Sequence, residues 1–264
     1  MNVTLITGAS GGIGEALATK FAERKHNLLL IARSADKLEK QCVQLETSFG
    51  IKAQYIAVDL NETGAANLVF EECQKRKLYV RVLVNNAGVG SSGEFFKNDL
   101  ESELKIIQLN NVALVSLCRL FLPGMIQRGN GSIINVASVA AFFPSPYMTV
   151  YSASKFFVRS FTQALTEECR PYGVHVLLVS PGLTETNFME TPANANQWGK
   201  VLVEGANMQT SEQVAEETIR AWEKGKTFHV AGRLNRIGTK VGALMPYATI
   251  AKLFAQHKRK KMNL

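Results

Sequence analysis

Short aliphatic runs alternate with longer amphipathic stretches along most of this chain. Apolar, largely β-branched or aliphatic runs over residues 3–6, 27–32, 52–58, 81–84, 132–136, 174–179 and 227–231 predict seven strands. Between them, residues 13–23, 65–76, 100–127 and 150–168 read as helices. Ser34 suits the cap of a further helix, Asp36 its positive end and Gly50 its termination. Ser211 suits the cap of a last helix through Lys224, with Glu212 in its first turn. A break is expected near Pro123-Gly124. Residues 187–210 look irregular, with short helices at best. This alternation predicts an α/β fold: a doubly wound parallel sheet of about seven strands, with right-handed crossovers and helices on both faces. No repeat, low-complexity tract or Pro/Gly-rich linker divides the chain, so a single domain is expected.

Composition narrows the class. Hydrophobic content of 46% and charged content of 20% are those of a globular protein. On sequence alone no apolar run approaches the roughly 18 residues of a membrane span, and the chain enters its first strand at once, so neither a membrane span nor a cleavable leader is expected. Cys42, Cys73, Cys118 and Cys169 stand far apart, with no Cys-x-x-Cys pair, which predicts reduced, buried thiols in a cytoplasmic protein and neither disulfides nor a metal site. The net charge is +8, of which residues 252–264 carry +5 and all others +3. A short terminal cluster without a reading motif argues against nucleic-acid binding.

Candidate chemistry begins where the first strand runs into Thr7-Gly8-Ala9-Ser10-Gly11-Gly12-Ile13-Gly14 and then a helix. Glycines allow a tight turn and a close backbone approach to a pyrophosphate, and the helix start offers free N–H groups. Tyr151 and Lys155, four apart, share one face of a helix. An ammonium beside a phenol favours phenolate, which predicts a lowered Tyr151 pKa and a proton donor and acceptor usable near neutral pH.

The spacing Gly8-x-x-x-Gly12-x-Gly14, Asn85-Asn86-Ala87-Gly88 after the fourth strand, Ser138 after the fifth, and Tyr151-x-x-x-Lys155 together resemble the classical short-chain dehydrogenase/reductase family. The match runs from residue 3 to about residue 186, and the motif order is specific. The resemblance implies a Rossmann-type domain over 1–232, with a substrate lid at 187–210 and an apolar then basic extension over 233–264. It assigns Tyr151 to proton transfer, Lys155 to lowering the Tyr151 pKa and binding the nicotinamide ribose, Ser138 to the substrate oxygen and Asn110 to a water in the proton relay. Asn111 is the competing neighbour. Cofactor contacts fall on Gly8, Ser10, Gly12, Ile13 and Gly14, on Asn86, Ala87 and Gly88, on Asp59 and Leu60 beside the adenine, and on Pro181, Gly182, Leu183 and Thr186 at the nicotinamide amide. Asp59 also reads as an ordinary helix cap.

The second strand ends Ala32-Arg33-Ser34, without the carboxylate that would hold a ribose 2′-hydroxyl. Arg33 stands where a guanidinium meets a 2′-phosphate, so NADP(H) is expected over NAD(H). A second basic residue within the glycine loop is missing, since Ser10-Gly11 occupies that place.

The segment 140–148, Ala-Ala-Phe-Phe-Pro-Ser-Pro-Tyr-Met, is apolar and has no charge to fix an anionic substrate. Phe142 and Phe143 read equally as core or as site wall, and Phe188, Met189, Trp198 and Met208 are candidate lid walls. A carbonyl or alcohol substrate with a bulky apolar part is expected. The resemblance also implies a homodimer or homotetramer. The tail reads either as a partner-packing helix with a solvated end or as a segment resting on an anionic membrane surface. The competing function is a non-catalytic dinucleotide sensor or scaffold of the same fold.

Overall fold

The computed structural model describes residues 1–191 and 193–262; residue 192 of the expected lid and residues 263–264 of the expected extension lie outside the described residues. Seven parallel strands form the main sheet: β1 (Asn2–Thr7), β2 (Leu28–Ala32), β3 (Ala53–Ala57), β4 (Tyr79–Asn85), β5 (Gly131–Val136), β6 (Val174–Ser180) and β9 (Phe228–Val230). Their order is β3-β2-β1-β4-β5-β6-β9. β1 is flanked by β2, in register Thr4 with Leu28, and by β4, in register Thr4 with Val82. Strands covered on both faces must be apolar throughout, and Leu28 to Ile31 are all fully buried.

α1 (Gly12–Glu23), α2 (Ala35–Phe49) and α8 (Ser211–Glu223) cover one face, where Leu17, Phe21, Leu38 and Ile219 join Ile6, Leu30 and Val84 in one core layer. α3 (Ala65–Lys75), α5 (Leu114–Gln127) and α6 (Thr149–Cys169) cover the other, where Val69, Leu117, Phe121 and Val158 meet Leu5, Leu83 and Ile133. The four cysteines are separate and buried in these layers. The chain runs outward from β1 through β2 and β3, then returns to β4 on the other side. That reversal opens a crevice beyond the carboxyl ends of β1 and β4.

Several local expectations need correction. α4 (Leu100–Ile107) continues into α5 through a π turn at Gln108–Ala113, so the irregularity falls at Asn110 and not at Pro123. Pro123 lies on the exposed side of α5, where the carbonyl that loses its donor can bond water. The run Leu100–Gln127, with mean hydropathy of 1.5 over its most apolar window, is long and apolar enough to cross a membrane by length and composition, contrary to the expectation from sequence. Here its buried residues Leu114, Leu117, Phe121 and Met125 pack on the sheet. The cap of α8 is Thr210, one residue before Ser211: Thr210 Oγ1 accepts from Gln213 N, and the Gln213 side chain accepts in return from Thr210 N. Ser34 precedes α2 but its side chain makes no capping bond, whereas Gly50 ends that helix in the left-handed region at φ 63°.

The segment 187–210 is clasped at its base by a two-residue parallel ladder, β7 (Thr184–Glu185) with β8 (Gln209–Thr210), and carries α7 (Gln197–Val203). Beyond β9 the chain forms α9 (Arg233–Gly242) and α10 (Tyr247–Met262), with Pro246 just before α10. The extension is therefore two helices joined by a short turn, and α10 folds back against α7.

Candidate active site

Thr7, the last residue of β1, ties the two central strands together at the crevice. Its hydroxyl donates to the Val84 carbonyl at 3.3 Å and accepts from Asn86 N and Ala87 N, each at 3.0 Å. Asn86 Nδ2 donates to the carbonyls of Thr7 and Gly8, at 3.0 and 3.3 Å. Gly14 has to be glycine: a Cβ there would lie 2.2 Å from the Gly8 carbonyl oxygen, so α1 starts pressed against the loop that precedes it. α1 has no side-chain cap at Gly11, and its first-turn N–H groups open on the crevice.

The crevice continues into a cleft of about 1090 Å³ that passes the glycine loop and the ends of β4, β5 and β6 and reaches α10. Its walls include Gly8, Ser10, Gly12, Ile13, Arg33, Asn86, Ala87, Gly88, Ser138, Tyr151, Lys155, Pro181, Gly182, Leu183 and Thr186. Residues as far apart in sequence as Gly8 and Thr186 are thus brought to one surface. Gly14, Asp59, Leu60 and Asn110 do not line it. Leu60 is buried in the core, and Asp59 accepts from Asn61 N at 3.0 Å while facing Arg33 at 3.9 Å. α3 begins six residues after Asp59, behind Gly64, so Asp59 is not its cap.

The chemical centre is built by α6 and the end of β5. Tyr151 and Lys155 sit one turn apart near the start of α6. Ser138 stands on the same cleft wall as the Tyr151 phenol and accepts from Ala140 N at 3.1 Å, which fixes its side-chain oxygen at the head of a 3-10 turn. Lys155 is buried, and its Nζ donates to the Val136 carbonyl at 3.0 Å. Burial lowers the Lys155 pKa to about 8. The expected lowering of the Tyr151 pKa is not what the structure gives. Burial pushes it up, and only the Ser138 side chain opposes this. The Lys155 ammonium lies 5.9 Å from the Tyr151 ring centroid and bonds a backbone carbonyl instead of the phenol.

Asn110 is held by the π turn behind this wall. Its side chain pairs with both the N–H and the carbonyl of Val89, each at 3.0 Å, and donates to Ser154 Oγ at 2.9 Å. Asn111 instead holds the Ser154 carbonyl at 2.9 Å. A Cβ on Gly88 would lie 3.1 Å from Asn110 Oδ1 and 3.3 Å from Lys155 Nζ, so Asn110 borders the lysine without reaching the cleft.

The substrate side separates residues that the sequence left together. Phe143 lines the cleft, whereas Phe142 is buried beneath Arg159, whose guanidinium lies 4.1 Å from its ring centroid. Phe188, Met189 and Met208 of the segment 187–210 line the cleft, and the Phe188 ring is 5.3 Å from that of Tyr151. Trp198 does not line it; it stacks on Tyr147 at 3.9 Å. Tyr147 is one of three non-glycine residues with positive φ among the described residues, at 66°, and its hydroxyl accepts from Arg259 Nε at 2.8 Å.

Two groups of wall residues were missed. Ser34 and Lys37 join Arg33 at the far end of the cleft. Lys37 stands four residues after Arg33, a spacing that was available as a signal, and it supplies the second basic residue absent from the glycine loop. At the other end stand Asn235, Phe254, His257, Lys258 and Lys261 from α9 and α10. Nothing local in the sequence distinguishes them from a solvated tail. Lys258 is buried, with Nζ donating to the Pro146 carbonyl at 2.8 Å and Ser145 Oγ at 3.2 Å.

The family model for short chain dehydrogenases matches residues 2–198. Among curated relatives, the very-long-chain 3-oxoacyl-CoA reductase of Bos taurus is 35% identical over 181 residues, covering 67% of this chain and 57% of that protein. The match thus spans less than two thirds of that relative's length. A solved short-chain dehydrogenase from Sphingobium yanoikuyae in complex with NADPH is similar at 28% identity and a TM-score of 0.78, over 87% of each chain. The bulky-bulky ketone specific alcohol dehydrogenase from Comamonas testosteroni is similar at 28% identity and a TM-score of 0.76, over 93% of this chain and 94% of that one.

Proposed function

The chain belongs to the short-chain dehydrogenase family, and on that premise we propose that it is an NADP(H)-dependent oxidoreductase that interconverts a carbonyl and its alcohol at Tyr151. The observation that carries this reading is the convergence of Ser138, Tyr151 and Lys155 on the cleft that also contains the glycine loop.

The residues present suit a nicotinamide dinucleotide. Gly8, Gly12 and Gly14 form a cradle that a Cβ would obstruct, and a cationic end is formed by Arg33 and Lys37. The first-turn N–H groups of α1 would hold the pyrophosphate, and Arg33 with Lys37 a 2′-phosphate. Asn86, Ala87 and Gly88, with Pro181, Gly182, Leu183 and Thr186, would flank the rest. When bound, the dinucleotide supplies or accepts the hydride. Ser138 Oγ and the Tyr151 phenol are directed to the substrate oxygen, where negative charge develops during reduction. Tyr151 holds the proton at its phenol oxygen and gives it to that oxygen; in oxidation it takes the proton back. Lys155 keeps an ammonium beside the phenol and a further N–H for a ribose hydroxyl. Asn110 holds the Val89 loop and the surroundings of Lys155. Phe143, Met148, Phe188 and Met208 would enclose a bulky apolar substituent.

Two surfaces support further assignments within the same reading. Leu100, Leu104 and Ile107 recur on one exposed face of α4, with Phe157 exposed on α6, which suits self-association as a homodimer or homotetramer. On the extension, Arg233, Arg236, Lys240, Lys252, Lys258, Arg259, Lys260 and Lys261 equal the whole net charge of +8; residues 1–232 hold 22 basic and 22 acidic side chains. Leu234, Ile237 and Val241 are exposed on α9, and Leu244 just beyond its end, beside these charges. That combination suits peripheral contact with an anionic membrane from the cytoplasmic side.

The deciding experiment is a broad panel of ketones, aldehydes and alcohols followed by NADPH absorbance. Turnover that requires Tyr151 supports the enzyme. Tight NADPH binding with no turnover of any member would favour a dinucleotide sensor and overturn the proposal.

A further inference from the structure

The structure has two lysines buried in the wall of one cleft, Lys155 and Lys258. Lys155 belongs to the reacting centre. Lys258 lies on the substrate side and has no assigned task. Its Nζ bonds two neutral oxygens, Ser145 Oγ and the Pro146 carbonyl, which leaves one N–H of the ammonium. Among the described residues it has no carboxylate within ion-pair distance. The acid on this side of the cleft, Glu204, is paired with Lys261 at 3.4 Å. His257 also lines this end. A buried cation without a counter-ion is unfavourable unless something supplies the charge. Burial accordingly lowers the Lys258 pKa to about 8.

We propose, on the premise that the chain is a carbonyl oxidoreductase, that Lys258 binds an anionic group of the substrate, with His257 and Lys261 flanking it. The substrate would be an oxo compound with an apolar body and a carboxylate or phosphate remote from the reacting carbonyl. Residues 140–148 provide no charge for such a group; α10 provides it by folding back over the cleft. Ser145 and Pro146, which hold Lys258, lie on the same segment that leads into Tyr151, so the anion and the reacting oxygen are set by one loop. Held at one end by Lys258, an extended substrate presents its carbonyl to Ser138 and Tyr151 in a fixed position.

The test compares oxo acids of graded chain length with their methyl esters, and CoA thioesters with the corresponding N-acetylcysteamine thioesters, all with NADPH. The wild-type chain should favour the anionic member of one pair. A carboxylate ligand predicts preference for the free acid, a phosphate ligand for the CoA thioester. Lys258→Met should raise the ratio of KM for the anionic member to KM for the neutral one at least tenfold, and Lys258→Arg should restore most of it. Arg259→Ala removes the bond from α10 to Tyr147 while keeping Lys258, and should leave that ratio within threefold of wild type. An equal rise with Arg259→Ala would mean that Lys258 only anchors the helix, and would overturn the proposal.

Thermal shift gives a readout without turnover. In saturating NADPH, which occupies the glycine loop, octanoate or octyl phosphate should raise the Tm of the wild-type chain and not that of Lys258→Met. Absence of a shift with both probes overturns the anion site. A Lys258-dependent shift with no oxo compound turned over would retain the anion site and overturn the oxidoreductase reading.

Discussion

Lys258 donates to the carbonyl of Pro146 at 2.8 Å, across 112 residues of sequence. Arg259 next to it bonds the Tyr147 hydroxyl, and Lys261 pairs with Glu204 of the segment 187–210. One turn of apparent tail therefore holds together the loop before Tyr151 and the segment that covers it. This makes the basic C-terminus part of the cleft, whatever its outer face contacts.

Removal of the Tyr151 hydroxyl should leave nothing to protonate the substrate oxygen. Tyr151→Phe is expected to lower ketone reduction by about 10²–10⁴-fold, the usual contribution of a positioned acid. NADPH affinity, measured by fluorescence titration, should change little. Turnover close to wild type would exclude this mechanism.

The cationic end of the cleft should choose between the two dinucleotides. Arg33→Asp places a carboxylate where a 2′-phosphate would lie, beside the existing Asp59. Loss of a charge-assisted bond of about 1.5–3 kcal/mol predicts a roughly 10–100-fold weaker NADPH complex. NADH affinity should hold or improve. Lys37→Ala should weaken NADPH in the same direction but less. Unchanged NADPH binding in both variants would remove the NADP(H) assignment.

Gly14 gives a test of the loop that does not depend on activity. Its Cβ would overlap the Gly8 carbonyl at 2.2 Å, and the contact is backbone, which cannot swing aside. Gly14→Ala should therefore destabilise the fold by about 1–3 kcal/mol, as overpacking does, and distort the dinucleotide cradle. Gly11→Ala, with open space around its Cβ position, is the control and should cost less. Equal Tm values for the two variants would contradict the packing described.

The two buried lysines give a pH dependence with a definite sign. Each has a folded pKa of about 8, lowered by burial from the ordinary lysine value of 10.5. Between these values the unfolded chain holds more protons than the folded one, so stability rises with pH across that window and its penalty is complete below about 8. Lys258→Met removes one of the two contributions. The Tm of that variant relative to wild type should therefore fall as pH is raised from 8 to 10.5. A difference independent of pH would mean that Lys258 is not held in a desolvated site.

Membrane contact is tested by co-sedimentation with anionic liposomes. The intact chain should bind, with affinity falling as salt increases, because charge supplies much of the attraction. A chain ending after Ala251 loses five of the eight basic residues of the extension and should bind more weakly. Equal binding by both would remove the membrane assignment.

The amino-acid sequence alone determined the parts of this protein that rest on local chemistry. Alternating apolar runs dictate a seven-stranded parallel sheet because strands covered on both faces must be apolar and helices need one apolar face. The glycine loop was legible because a loop pressed against a helix start tolerates few side chains, as at Gly14 beside the Gly8 carbonyl, and Tyr151 with Lys155 because a spacing of four places two residues on one face of any helix. Tertiary structure decided what depends on neighbours remote in sequence. It put Phe142 in the core and Phe143 in the cleft, although they are adjacent, and turned Trp198 onto Tyr147. It reversed the expected direction of the Tyr151 pKa, because desolvation by surrounding segments outweighs the opposing Ser138 side chain, and Lys155 bonds Val136 instead. It also took Lys258 from an apparently solvated run and buried it beside Pro146. A charged residue in a basic tail looks the same in sequence whether water or a folded wall surrounds it, and only the long-range packing of α10 separates the two.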